Sequence, residues 1–240
     1  MARHTVLAFD AELSALHETI AGMGGLAEEQ LAAAVDALAT RSDERAAAVV
    51  ARDTEIDRAE SDAEAKAIRL LALRQPMARD LREVVAALKI ANNIERVGDF
   101  ASNIAKRAMA LSQLPPAGPM KSLVRMSKLA GAQVHEVIDA YVRQDMEKAL
   151  AVRDGDAEID AIYTSLFREL LTYMMESPQQ ITPCTHLLFV AKNIERIGDH
   201  ATNIAENVCF LVRGKLPEDE RTKEDMSSFT VLTPDGGGSR

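Results

Sequence analysis

Apolar residues recur along this chain at three- and four-residue intervals in six long runs, the period of helices with one buried face. After a lead-in over residues 1–9, the first run carries Phe9, Leu13, Leu16, Ile20 and Met23, then Leu31, Val35 and Leu38. Gly22, Gly24 and Gly25 interrupt it. Each glycine costs about 1 kcal/mol against alanine, so they predict a kink or a close helix contact. A turn at Thr40-Arg41-Ser42-Asp43 offers Ser42 or Asp43 as the next N-cap. The second run, through Val49, Ile56, Ala63, Leu70 and Leu73, reaches about Arg74. Gln75-Pro76 stops it, with Pro76 suited to the first turn of a third helix. That helix carries Leu81, Val84, Leu88, Ile94, Val97 and Ile104 and ends near Leu111.

Three prolines and a glycine between Ser112 and Pro119 cannot continue a helix and mark a linker, centred on residues 114–119. The order of events then repeats: a helix from about Met120 to Val142, a turn near Asp145, a helix to about Met175, a break at Ser177-Pro178 and a final long helix. The start of that final helix stays open, because Ser177 with Gln180 forms a candidate capping box while Thr182-Pro183 is a rival start. The prediction is all-α: two tandem antiparallel three-helix bundles, residues 1–113 and 120–213, related by an internal repeat. From 214 to 240 the sequence is polar and ends in glycines, which predicts a disordered tail.

The repeat is most exact on the third helix of each half. Asn93-Ile94-Glu95-Arg96-Val97-Gly98-Asp99-Phe100-Ala101-Ser102-Asn103-Ile104-Ala105 returns one hundred residues later as Asn193-Ile194-Glu195-Arg196-Ile197-Gly198-Asp199-His200-Ala201-Thr202-Asn203-Ile204-Ala205. Ten of the 13 positions are identical. Apolar cores drift so long as volume is kept, so a repeat that preserves Asn, Glu, Arg, Gly and Asp serves more than packing. A second block, Asp-x-Glu-Ile-Asp, recurs on the middle helix of each half as Asp53–Asp57 and Asp156–Asp160.

These blocks place carboxylates at one level. Asp57 and Asp53 lie 18 and 22 residues before Gln75, and Glu95 and Asp99 lie 20 and 24 after it. At about 1.5 Å rise per residue, the four stand within roughly a turn and a half of one another on antiparallel helices. Asp156, Asp160, Glu195 and Asp199 repeat the arrangement. Like charges four apart destabilise a helix by about 0.2–0.5 kcal/mol, and two carboxylates about 4 Å apart repel by ~4 kcal/mol at an effective dielectric of ~20. A bound cation offsets that repulsion; so would Arg52, Arg96, Arg153 and Arg196 in an ion-pair network. Paired spacing on both helices favours the metal reading. All-oxygen ligands suit Mg²⁺, Mn²⁺, Ca²⁺ or iron better than structural zinc. Asn103 and Asn203 are candidates to ligate or to orient the acids. His200 has no equivalent, because Phe100 stands in its place. Gly98 and Gly198, in mid-helix, imply close approach of a neighbour or room for a ligand.

Composition narrows the function. Charged residues are 27% of the 240 with a net charge of −9, which argues against nucleic acid as a partner. Aromatics are only 4%, with no tryptophan. Cys184 and Cys209 have no framework spacing and read as buried small hydrophobes in a reducing compartment. No apolar run approaches the ~18 residues of a membrane span, so a soluble cytoplasmic protein is expected. The sequence has no phosphate loop, dinucleotide fingerprint, His-Glu-x-x-His or Cys-x-x-Cys, and the Glu-x-x-His pairs of di-iron oxidases are missing from the acidic helices. No enzyme activity is expected; a carboxylate-bridged metalloenzyme of the helical-bundle type is the competing reading.

The doubled Glu-Arg-Ile/Val-Gly-Asp-x-Ala-x-Asn-Ile phrase, with Arg74-Gln75-Pro76-x-x-x-Asp80-Leu81-Arg82 and Leu171-Thr172-Tyr173-Met174-Met175-Glu176, resembles the PhoU family over roughly residues 8–213. The resemblance implies a cytoplasmic, non-enzymatic regulator of phosphate homeostasis. Such a protein acts between the ATPase subunit of the phosphate-import ABC transporter and a membrane sensor histidine kinase. It damps uptake and the phosphate-starvation response. The resemblance also implies multinuclear iron or zinc on Asp53, Asp57, Glu95 and Asp99 and on Asp156, Asp160, Glu195 and Asp199. A homodimer is the expected assembly.

Overall fold

The computed structural model describes the backbone of residues 2–218 and 223–230, with side chains from residue 9 onward. Six helices carry almost all of it: α1 (Ala2–Thr40), α2 (Asp43–Arg74), α3 (Arg79–Ser112), α4 (Met120–Arg143), α5 (Met146–Glu176) and α6 (Ile181–Arg213). Among the described residues there is no strand, and no helix is long and apolar enough to cross a membrane. The predicted all-α double bundle is the observed architecture, with α1–α3 forming one bundle and α4–α6 the other.

Helix boundaries follow local chemistry. Ser42 and Asp145 cap α2 and α5, accepting from the amides of Arg45 at 3.4 Å and Lys148 at 3.0 Å. Gln75 and Gln144 end α2 and α4 in the left-handed conformation. Three expected boundaries move. Helix α1 is already formed at Ala2 rather than near Phe9. Helix α3 starts at Arg79, so Pro76 lies in the preceding turn, with Ala78 at φ 51°. Helix α6 takes neither proposed cap: a 3-10 turn over Pro178–Gln180 runs directly into it, and Pro183 sits in its first turn, where a missing N–H leaves no bond unmade.

The three glycines of α1 do not break it. Gly24 is a contact point: a Cβ there would come within 2.7 Å of Ile138 on α4, whereas Gly22 and Gly25 face open space. Helix α1 therefore packs closely on α4, and α3 packs along α6, so the two bundles are joined through both pairs. Small residues permit the approach of the central helices, with Ala86, Ala87, Ala91, Ala101 and Ala105 of α3 and Ala191, Ala201 and Ala205 of α6 all buried. Buried residues of both halves form one core cluster. The linker is held against it: Arg41 donates to the carbonyl oxygens of Ser112, at 3.0 Å, and Leu114. Gly118, at φ 72°, fits against Leu187 and Leu170. Both cysteines are free and buried, as their spacing implied.

Candidate functional site: two unequal carboxylate faces

The repeated motif helices α3 and α6 lie side by side, and the one motif position that differs in kind falls at their contact. Phe100 and His200 stack with ring centroids 5.5 Å apart, and His200 Nδ1 lies 2.8 Å from Asn93 Oδ1. Burial holds the His200 imidazole below its ordinary pKa. His200 thus belongs to the junction between the bundles. Asn103 and Asn203 are exposed on the outer side of their helices.

On the first face, α2 presents Asp53 and Asp57 while α3 presents Glu95 and Asp99. The carboxylates share one field. Asp57 is pushed up by desolvation and by the charges of Asp53 and Asp99. Desolvation chiefly, then Asp99, Glu60 and Asp57, raises Glu95 to about 7 against the opposing charge of Arg96. Arg96 is the local counter-ion, 3.0 Å from Asp99 and 3.5 Å from Glu95. That part of the ion-pair alternative is realised. Even so, Glu95 Oε2 is buried with no hydrogen-bond partner among the described residues. Arg52 turns away, to Glu29 at 3.3 Å and Glu55 at 3.6 Å.

The second face has the same plan and different contents. Asp160 is raised by desolvation and the charges of Asp199 and Asp225, with an opposing backbone hydrogen bond from Glu224. Glu195, 4% exposed, is raised by desolvation and Asp199, and its Oε2 likewise finds no hydrogen-bond partner among the described residues. Lys192 Nζ lies 2.7 Å from Glu195 Oε1. In the first half position 92 is Asn, and Glu60 stands where Tyr163 stands in the second. The first face is therefore the more acidic, and the second carries its own lysine.

Asp53 and Asp156 turn inward, toward residues that sequence reasoning missed. Gln30 on α1 donates to Asp53 Oδ1 at 2.9 Å and lies 3.5 Å from the Gly98 carbonyl oxygen. Its equivalent on α4, Gln133, is buried beside Gly198. The signal was a buried-face Gln at matching places in the first helix of each half. Glu60 and Lys192 were also legible, one as a continuation of the Asp53, Asp57 spacing and the other as the departure from Asn92. The motif glycines make room for side chains rather than backbone. A Cβ on Gly198 would come within 2.6 Å of Asp156 Oδ1, and one on Gly98 within 2.7 Å of Ile56 Cδ1.

The described part of the tail is ordered onto the second face. Residues 214–240 were expected to be disordered; of these, 219–222 and 231–240 lie outside the described residues, and 223–230 form a short 3-10 turn over Ser227–Phe229 and bond to α5 and α6. The Glu224 amide donates to Asp160 Oδ2 at 3.0 Å, the Met226 amide to Thr164 Oγ1 at 3.1 Å, and Lys223 Nζ lies 3.4 Å from Asp199. Consequently Asp160 is 2% exposed, while its first-half counterpart Asp57 is open to solvent.

The donor chemistry suits a hard cation: charge-coupled carboxylates with, on each face, a buried oxygen that has no hydrogen-bond partner among the described residues. The eight predicted ligands are brought to two common levels but not into a closed shell. Among the described residues no group of three or more His, Cys, Asp or Glu side chains converges to hold a metal ion.

Comparison with known proteins places this geometry. The PhoU domain family matches residues 20–108 and again 123–208. A phosphate-specific transport system accessory protein PhoU homolog from Rhizobium meliloti is 52% identical over 226 residues, covering 94% of this chain and 95% of the relative. A Caulobacter vibrioides protein of the same description is 49% identical, covering 95% and 100%. Among solved structures, PhoU from Pseudomonas aeruginosa superposes with a TM-score of 0.83 at 38% identity, covering 86% of this chain and 100% of that one. The phosphate transport system regulatory protein PhoU from Streptococcus pneumoniae gives 0.81 at 30% identity, covering 88% and 99%.

Proposed function

This chain belongs to the PhoU family, and on that premise we propose that it is a regulatory accessory of phosphate-specific transport, a non-enzymatic cytoplasmic adaptor that restrains the phosphate-import ABC transporter and the phosphate-starvation two-component response. The names of its relatives support the association with phosphate transport. The observation that carries the adaptor reading is the pair of carboxylate faces, each kept on a rigid two-helix surface at an energetic cost that folding alone does not require.

In this reading the first face, with Asp53, Asp57, Glu95 and Asp99, takes hard divalent or trivalent ions. Glu60 adds charge to it. Asp156, Asp160, Glu195 and Asp199 form the second. A bound ion, iron, manganese, magnesium or zinc, supplies charge neutralisation and ties the middle helix to the third. Small rotations of the side chains would have to close the shell. The partners are the transporter's ATPase subunit and the sensor histidine kinase, engaged by a homodimer.

The test is co-purification with the import ATPase and the sensor kinase, alongside phosphate uptake in a deletion strain. Association with either partner and elevated uptake on deletion are expected. Failure to bind either, with uptake unchanged, would remove the proposal.

A further inference from the structure

We propose that the C-terminal segment Lys223–Phe229 is a tethered lid on the second carboxylate face, so that the two faces of this protein are not functionally equivalent: the first stands open to cations and the second is closed until the lid leaves.

The contacts are matched in register, which distinguishes docking from casual neutralisation. Lys223 meets Asp199 at 3.4 Å, and two residues on, Asp225 meets Lys192 at 3.3 Å. Between them the Glu224 amide donates to Asp160 at 3.0 Å. The next contacts are Met226 N to Thr164 Oγ1 at 3.1 Å and Thr164 Oγ1 to the Glu224 carbonyl oxygen at 3.5 Å. Ser227 pairs with the Tyr163 hydroxyl. Acid thus meets base and base meets acid along one short stretch, and the segment is fixed by polar groups. Met226 and Phe229 remain exposed, so apolar collapse does not hold it. A like-charge mismatch at either end would cost the whole register.

The face is itself adapted to the lid. Lys192 replaces Asn92, and Tyr163 replaces Glu60; both replacements touch the segment. In the first half these positions leave an open, more acidic surface, and no equivalent segment covers it among the described residues. Asp199 and Asp160 each give an oxygen to the lid, oxygens that a cation or an external peptide would otherwise use. Lid docking and occupation of the second face are therefore mutually exclusive. An external segment that displaces the lid would carry the same chemistry: a lysine, a free amide and an acid in sequence.

The exclusion of cations rests on the carboxylate reading above; the docking does not. The test uses the full chain. Amide exchange followed by mass spectrometry is expected to show residues 223–230 protected by about tenfold or more over an unstructured peptide. Asp225→Lys abolishes that protection while urea unfolding of the helical core stays unchanged, which a merely misfolded variant would not show. Titration with Mn²⁺ alone is then expected to show about twice as many sites in Asp225→Lys as in the natural chain. Unprotected exchange of 223–230 in the natural chain, or protection unchanged by Asp225→Lys, overturns the lid. Equal Mn²⁺ stoichiometry with the lid on and off overturns the exclusion. Protection as expected with no Mn²⁺ bound by any variant leaves the lid standing and removes the cation reading of both faces instead.

Discussion

Replacing Glu95 by Gln is expected to stabilise this protein at alkaline pH and to leave it nearly unchanged at acid pH. Glu95 rises from 4.5 to about 7 through desolvation, the Asp99 charge and its other acidic neighbours. Between those values the folded chain holds the proton and the unfolded chain does not. The folded state then binds more protons, so this group's contribution to stability falls as pH rises from about 4.5 and levels off above about 7. At about 1.4 kcal/mol per tenfold change in proton affinity, the full effect is roughly 3.5 kcal/mol. The side chain keeps 18% of its exposure, and Arg96 and nearby water screen it, so a measurable effect of about 1–2 kcal/mol is the better figure. Glutamine matches the shape and never charges. Because Oε2 makes no hydrogen bond among the described residues and meets only the Arg96 guanidinium, at 3.5 Å, the amide gives up one long ion pair there and no hydrogen bond. The assay is urea unfolding by circular dichroism at several pH values from about 4 to 8. The variant's advantage should grow from near zero to its plateau slightly above pH 7. An advantage that is flat with pH would refute the account of the first face. Mn²⁺ added at pH 8 should stabilise the natural chain and not the variant, since a ligand stabilises only the state that binds it.

Four further outcomes follow from the packing. Gly24→Ala should lose about 1–3 kcal/mol in chemical denaturation, because its Cβ would sit 2.7–3.0 Å from three atoms of Ile138 at the joint between bundles. Gly22→Ala and Gly25→Ala, facing open space two residues before and one after, should instead gain about 0.5–1 kcal/mol. Gly198→Ala should destabilise by about 1–3 kcal/mol despite its better helix propensity, since it would displace the buried Asp156 carboxylate and press on Ile159; the same measurement with Asp156→Ala in the background should recover most of the loss. Tyr141→Phe should stabilise by about 1 kcal/mol or more, because the Tyr141 hydroxyl is buried without a hydrogen-bond partner among the described residues, and loss of stability would show that the hydroxyl is bonded in solution.

The carboxylate pairing was legible because helix rise is nearly constant. Counting residues from the Gln75 turn was enough to bring Asp57, Glu95 and Asp99 to one level, where their charges now couple. The rotation of each side chain about its helix was less legible. Asp53 carries the same spacing as Asp57, yet it accepts from Gln30 and turns inward. Only the position of a third helix decides that. The glycines show the same division. Period and cost announced that Gly24, Gly98 and Gly198 were unusual; which neighbour each one admits, Ile138, Ile56 or Asp156, depends on contacts far apart in the chain.

By itself the sequence determined the six helices, the repeat and the two levels of acidic residues, because periodicity, proline placement and helix rise are local properties of the chain. Tertiary structure decided how the halves meet. It set α3 against α6 and α1 against α4 over one shared core, and it made Phe100 and His200 a stacking pair between them. It also made equal-looking faces unequal. Folding Lys223–Phe229 back onto Asp160, Lys192 and Asp199 joins residues more than twenty positions apart through pairwise charge matching, a non-local energy that composition, which favours a loose polar tail, does not contain.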